Sequence, residues 1–532
     1  MWAVAFLVGE NKMLKFTENT YVSVREERVA MPDGVKLYTR SVVPVGVDKC
    51  PIIFMRSPYA KALSDAPLNL EDYNDDRFIK AGYAIVLQHC RGTGESEGVC
   101  VPYKNEREDG LSTLEYIRTL NFYNGEIYLK GGSYLSSVHL LYLSERPADV
   151  KGALLEIQTD RMYFRNYNNG CNYNFCNFEW WMSMKKREFP NPDFTGIYRR
   201  PYVDIAKRAV GIDLPEFTDT LINDEYNGFW QNDPRTDVID NIDFPVLFVE
   251  GWYDFYIGGM FSMWERLPKS TKEKSSFIVG PYAHDVKTNP RFEYPSLEAG
   301  NLPPDYAVEW FNSIREKRSY KYAKCGKANY YSIGADAWYS AEYPQSEIAY
   351  CEIPLNKTDK GLKQTEISYT YDPEIKIDLF KNKGLYSSDN VECQVGITSL
   401  LTEAFDSEKS FFGKIKCHLT VSSDCEDTAF YLCVNLVEEG HSYPLTEAIS
   451  SLSHFYPEYA PGSAVTLDIE TPPIAFTAKL GTKIRIDIAS VGGMYVPHAN
   501  VRGHFAKVTE SRVAHNTVYL DKSHVDFPTV KY

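Results

Sequence analysis

The 532-residue sequence has no run of lysine and arginine and no basic stripe interleaved with aromatics. Basic residues number 57 against 72 acidic ones, so the formal net charge is -15 and the pI about 5.3. That is the wrong sign for a surface that tracks phosphates, and no nucleic-acid partner is expected. No apolar stretch reaches the roughly 20 residues that a membrane helix needs, so no membrane partner is expected either. The opening residues, MWAVAFLVGENK, are briefly apolar but lack the basic flank and the length of a secretory leader. Zinc-type cysteine spacing is also missing. The 11 cysteines are scattered and odd in number, and Cys171/Cys176 and Cys417/Cys425/Cys433 fit no metal signature. The expectation is a cytoplasmic protein with reduced thiols and no metal or cofactor. There is no internal repeat and no low-complexity tract.

What is present is globular. Hydrophobic residues make up 44% and charged residues 24%, and the length calls for two or three domains. Aromatics reach 14%, with 39 tyrosines, enough to build both a core and an apolar pocket. Between Glu26 and Asp254, short apolar runs alternate with helical spacing. Pro32-Asp33-Gly34 turns a hairpin, and Pro51–Arg56, Tyr83–Gln88, Glu126–Leu129 and Gly152–Ile157 read as strands. Leu111, Leu114, Ile117 and Leu120 read as a helix, as does Tyr134 to Glu145, which Pro147 stops. The pattern predicts a mostly parallel sheet with helices on both faces. Residues 161–233 are rich in Tyr, Asn, Phe and Trp without a strand signal and read as a helical cap. The sheet resumes at Pro245–Glu250 and Ser276–Val279, and residues 20–160 with 234–327 form the catalytic domain. From 328 to 532, alternating segments such as Ser410–Ser422 and Lys483–Ser490 predict an all-β jelly roll.

The segment Tyr128-Leu129-Lys130-Gly131-Gly132-Ser133-Tyr134-Leu135-Ser136 carries the chemistry. A strand enters a glycine turn and a helix starts directly after the serine. That geometry lifts Ser133 above the sheet edge and sets a helix N-terminus beneath a developing oxyanion. A serine needs a base. His284 in Gly280-Pro281-Tyr282-Ala283-His284 follows a late strand, where a doubly wound sheet collects its functional groups. His89 is a rival, but it precedes the serine. Asp254, after Gly251-Trp252-Tyr253, is the carboxylate that would orient the imidazole, with Asp160 as runner-up.

With these segments in view, the chain resembles the cocaine esterase-like (CocE/NonD) serine hydrolases. These share a catalytic α/β-hydrolase domain with X-Pro dipeptidyl-peptidases, glutaryl-cephalosporanate acylases and α-amino-acid ester hydrolases. The resemblance rests on Arg56-Ser57-Pro58-Tyr59, Arg91-Gly92-Thr93-Gly94-Glu95-Ser96-Glu97-Gly98, Gly131-Gly132-Ser133-Tyr134-Leu135, Gly251-Trp252-Tyr253-Asp254 and Gly280–His284, in family order. In the C-terminal part, Val421-Ser422-Ser423-Asp424 and Gly481–Ile486 resemble the family's jelly roll, a galactose-binding-like domain. The resemblance implies the triad Ser133, Asp254 and His284. It also implies an oxyanion hole formed by the Tyr59 hydroxyl and the Tyr134 backbone N–H. Two positions depart from the pattern: Ser136 stands where glycine is common, and His89 where aspartate is.

The implied activity is cleavage of a small-molecule ester or amide through an acyl-enzyme. Trp180, Trp181, Phe255 and Tyr256 are the substrate-binding candidates, with Tyr163, Phe164, Tyr167 and Phe178 as further cap aromatics. Phe255-Tyr256-Ile257 after the acid favours apolar or aromatic acyl esters. In the amino-ester hydrolases, acidic residues that hold a free amine stand at this place. The alternatives are X-Pro dipeptidyl-peptidase or cephalosporin-type acylase activity and, further off, a non-catalytic binding protein. The β domain is expected to pack on the catalytic domain and shape the pocket mouth or a homo-oligomer interface.

Overall fold

The computed structural model describes residues 12–17, 20–59, 76–173, 177–286, 297–357, 364–375, 396–492 and 494–530. The apolar opening residues and Cys176 lie outside these. The first seven strands are β1 (Lys12–Thr17), β2 (Thr20–Ala30), β3 (Lys36–Pro44), β4 (Cys50–Ser57), β5 (Ala84–His89), β6 (Tyr123–Gly132) and β7 (Val150–Glu156). After a two-residue pair in the cap, β8 (Tyr167–Asn168) and β9 (Cys171–Asn172), come β10 (Val246–Gly251), β11 (Ser276–Gly280), β12 (Ala328–Ser332) and β13 (Ala337–Ala341). Apart from β8 and β9, these form one 11-stranded sheet in the order β1-β2-β3-β5-β4-β6-β7-β10-β11-β12-β13. Pairing is parallel from β5 to β12 and antiparallel at both margins.

Strands β4, β5, β10 and β11 are buried along their whole length, as their unbroken apolar runs demand of a sheet covered on both faces. One face packs Leu114 and Ile117 of helix Glu106–Arg118, Leu140 of helix Tyr134–Leu143, and Met260 and Trp264 of helix Ile257–Arg266. The other packs Phe78 of helix Asp76–Lys80 and Trp310 and Phe311 of helix Tyr306–Arg315. No helix among the described residues is long and apolar enough to cross a membrane.

The cap is mainly helical, with a core of Phe178, Trp181, Ile205, Phe217 and Leu221 that Ala506 of the C-terminal domain completes. The C-terminal strands are β14 (Ala349–Pro354), β15 (Glu366–Tyr371), β16 (Thr398–Leu401), β17 (Lys409–Ser423), β18 (Ala429–Glu438), β19 (His441–Ser451), β20 (Val465–Ala478), β21 (Lys483–Ala489), β22 (Ala514–Tyr519) and β23 (His524–Val530). They form a six-stranded sheet around β17 and a four-stranded sheet β16-β21-β18-β19, a two-layer sandwich.

The division expected at 327/328 meets the large sheet. It falls inside that sheet, because β12 runs parallel to β11 and β13 closes the edge. An edge strand of alternating burial such as β13 looks the same in sequence whichever domain owns it. The seam beyond is continuous. Phe412 of β17 stacks on Tyr330 of β12 at 3.9 Å, Ile333 N donates to Ala475 O and Thr477 N donates to Ile333 O.

Candidate active site

Ser133 sits between β6 and the helix Tyr134–Leu143 with φ +54° and ψ -123°, a region a side-chain-bearing residue rarely occupies. Its surroundings hold that conformation. Ser133 N donates to Glu156 O of β7 (3.0 Å), while Ser136 N and Ser137 N donate to Ser133 O (3.0 and 3.1 Å). Gln158 Nε2 also donates to Ser133 O, at 2.7 Å, and to Ser137 Oγ at 2.6 Å. Gly131 is required here because a Cβ would lie 2.3 Å from Leu135 O. Ser136 is fully buried and ties the turn to the sheet: its Oγ donates to Gly131 O (2.5 Å) and accepts from Glu156 N (3.2 Å). The departure from glycine at this position thus adds a tether behind the nucleophile.

The acid and base come from neighbouring parallel strands. Gly251 of β10 pairs with Gly280 of β11, and the ladder continues as Trp252 N donates to Gly280 O and Tyr253 N to Tyr282 O. Asp254 and His284 therefore leave the sheet side by side. His284 Nδ1 lies 2.5 Å from Asp254 Oδ2, and its Nε2 lies 2.9 Å from Ser133 Oγ. The Asp254 carboxylate is buried, and Tyr256 N donates to its Oδ1 at 2.7 Å. Burial, and the Asp254 charge after it, push the nearby Glu250 carboxyl well above the usual range.

The two rivals are engaged elsewhere. Asp160 is buried against Arg266, Oδ1 to Nη2 2.5 Å. The His89 ring accepts from Glu95 N at 3.1 Å, and burial lowers its pKa to about 4, so it is a neutral packing group.

Tyr59 follows β4. It packs with Tyr103 and Trp180 against a small core of Cys90, Tyr134 and Val138, and Trp180 Nε1 donates to its hydroxyl oxygen at 3.3 Å. The Tyr134 ring is pinned, its hydroxyl donating to Glu106 Oε1 (3.0 Å) and accepting from Tyr103 N (3.0 Å). Its backbone N–H opens the helix, where amide donors have no partner within the helix. Beneath lies an ionic support. Arg56, wholly buried, meets Glu106 at 2.8 Å, and Arg91 meets Asp109 at 2.6 Å. The two arginine motifs thus serve as foundation for the tyrosines above them.

Of the substrate-binding candidates, Phe255 stacks on the His284 imidazole at 4.5 Å and 23°, and Tyr256 lies 5.8 Å from it. Trp180 is beside Tyr59. Trp181 is not at the site: it is buried in the cap core against Phe217, because adjacent residues on a helix face about 100° apart. Phe178 shares that core. Tyr163 and Tyr167 belong to an aromatic cluster around Trp230 that also takes in Tyr256 and Phe255, and Phe164 is exposed. Four neighbours of the site carry no sequence signal: Gln158, Tyr103, Arg235 and Arg165. Tyr103 stacks on Tyr134 and Trp180, with the Arg235 guanidinium 4.1 Å from its ring centroid. The Arg165 guanidinium lies 5.0 Å from the Phe255 centroid and 5.9 Å from that of Tyr256.

A family model described as X-Pro dipeptidyl-peptidase (S15 family) matches residues 33–285, and one described as the X-Pro dipeptidyl-peptidase C-terminal non-catalytic domain matches residues 324–526. The chain is 22% identical over 487 residues to a cocaine esterase of Rhodococcus sp. (strain MB1 Bresler), covering 81% of this chain and 83% of that one. In fold it is similar to an aminopeptidase from a marine sediment archaeon, Thaumarchaeota archaeon, with TM-score 0.78, 18% identity and coverage of 96% and 97%. It is also similar to an α-amino acid ester hydrolase, with TM-score 0.78, 19% identity and coverage of 95% and 96%. A CocE/NonD family hydrolase from Staphylococcus aureus gives TM-score 0.69 at 16% identity, covering 98% of this chain and all of that one.

Proposed function

Because the chain belongs to the X-Pro dipeptidyl-peptidase-like (S15) serine hydrolases, enzymes that cleave ester or amide bonds, we propose that it hydrolyses esters of apolar or aromatic acids, with Ser133, His284 and Asp254 as its triad. The observation that carries this reading is the Phe255 ring stacked on His284, which puts an apolar wall beside the nucleophile. In this mechanism His284 Nε2 takes the proton as Ser133 Oγ attacks the carbonyl carbon. Asp254 fixes the imidazole with its proton on Nδ1 and stabilises the imidazolium. Tyr59 and the Tyr134 N–H donate to the tetrahedral oxyanion. His284 then protonates the leaving group, and water, deprotonated by the same imidazole, releases the acid and restores Ser133. The chemistry asks for no metal or cofactor.

Charge near the triad argues against a free α-amine on the substrate. The side chain over Phe255 and Tyr256 is a cation, Arg165, which repels an ammonium. Glu447, beyond the Phe255–Tyr173–Tyr495 aromatic contacts, is pushed up to about 8 by burial and is mostly uncharged at pH 7. A cytoplasmic location belongs to the same reading, supported by nine described cysteines that are all free thiols.

The test compares acetyl and benzoyl p-nitrophenyl esters with Ala-Pro p-nitroanilide, using wild-type and Ser133→Ala protein. Serine-dependent cleavage of the esters with little anilide cleavage is expected. Faster release from the anilide would move the activity to the dipeptidyl-peptidase side.

A further inference from the structure

The outer face of the C-terminal sandwich carries a histidine–carboxylate cluster that the hydrolase reaction does not use. β17 pairs antiparallel with β23 and places His418 directly opposite His524, while β20 on the other flank places Asp468 opposite His418. Asp526, two residues after His524, shares its face of the strand. The two imidazoles stack at 4.4 Å and 23°. One ligand atom from each of His418, His524 and Asp526 can be chosen so that all lie within 4.8 Å of one another.

The hydrogen bonding defines which atoms face the centre. His418 Nδ1 lies 2.6 Å from Asp468 Oδ1, so Nδ1 carries the proton, and in the neutral ring Nε2 presents its lone pair. That Nε2 is 3.5 Å from Asp526 Oδ2. The separation is long for a charge-assisted hydrogen bond, whose N···O distance is about 2.7–2.9 Å. It is close to the edge of a tetrahedron around a metal held at about 2.0–2.1 Å, which is roughly 3.3–3.4 Å. A carboxylate on the far nitrogen of a ligating histidine is the arrangement that orients metal-bound imidazoles. Around the cluster, Glu352 of β14 stands opposite Asp526 and adds negative charge, while Lys416, also opposite Asp526, carries its ammonium 4.6 Å from the Tyr350 ring centroid.

We propose that His418 Nε2, a ring nitrogen of His524 and an Asp526 oxygen bind one divalent transition-metal ion of the zinc type, with Asp468 orienting His418 and water in the fourth position. Two imidazoles and one carboxylate suit zinc and its first-row neighbours rather than calcium or magnesium. The ion would clip β23 to β17, tying the C-terminal strand to the strand that organises the six-stranded sheet.

The experiment is calorimetric titration of chelator-treated full-length protein with zinc chloride, with thermal unfolding measured in parallel. The exposed Cys325 and the triad histidine are competing zinc ligands, so the readout is the difference from a His418→Gln/His524→Gln variant, which keeps polar side chains on the surface. The wild type is expected to bind one more equivalent than the variant and to melt higher in zinc, with that shift absent from the variant. Asp468→Asn should weaken the extra site about 10- to 100-fold. Equal stoichiometry and equal melting shifts in wild type and the glutamine variant would overturn the proposal.

Discussion

The turn at Ser133 and the cap helix carrying Trp180 reach the same site but are held by different means. The turn is fixed by hydrogen bonds: seven link Ser133, Ser136 and Gln158 to the ends of β6 and β7 and to the helix, and Gly131 leaves no room for a Cβ. The cap is fixed by side chains and by its neighbour. Its core takes in Ala506 of the C-terminal domain, Val203 N donates to Ala506 O, Val496 N donates to Asn172 O, and Asn168 donates to the Tyr495 hydroxyl. In this molecule the sheet sets where the chemistry happens, while the C-terminal domain sets where the cap sits over it.

Mutations can break this contrast. The largest effect is expected for Ser133→Ala, which should cut ester turnover by about 10⁴-fold or more with unchanged melting, read by kcat and circular dichroism. Tyr59→Phe should lower kcat by roughly 10²–10³ with a small change in KM, as loss of an oxyanion donor does. If KM rises instead, Tyr59 holds substrate rather than the transition state. Trp181→Ala should cost about 3–5 kcal/mol of stability in denaturant unfolding, since it empties the cap core. Trp180→Ala should instead act on kcat/KM, through its bond to Tyr59. If the two tryptophans exchange these effects, the assignment of helix faces is wrong.

A pH-dependent effect sharpens the view of the β domain. Tyr431 donates to Glu447 Oε2 at 2.6 Å, and burial raises that carboxyl from 4.5 to about 8. Below about pH 4.5 both folded and unfolded chains hold the proton and the acid costs nothing. As the pH rises toward 8 the unfolded chain loses it first, so stability falls across that window and levels off above it. Glu447→Gln should flatten that slope, measured as denaturant midpoints at about pH 5, 6.5 and 8. An unchanged slope would mean that Glu447 titrates normally.

The parts of the site that could be read from sequence share one property: each is local. Ser133, Asp254 and His284 sit at the ends of recognisable strands, in turns whose residues announce them. Tyr59 was legible only through the resemblance, since nothing distinguishes it among 39 tyrosines. Gln158, Tyr103, Arg235 and Arg165 were illegible because their partners lie far away in the chain or on another element. The misplaced Trp181 shows the limit of composition: two adjacent tryptophans looked equivalent, and the helix turned one inward. No signal marks β12 and β13 as members of the large sheet, because pairing partners are not written in a strand's own pattern.

The Tyr330–Phe412 stack and the bridge at Ile333 also bear on how such chains can recombine. Chimeras joined at residue 328, where the sequence changes texture, would split one sheet between two parents. A crossover after Ala341, in the connection to β14, keeps all eleven strands from one parent. Even then the donor must bring a compatible partner for Tyr330 and a backbone able to receive Ile333, so domains from distant relatives should graft only when that seam travels with them.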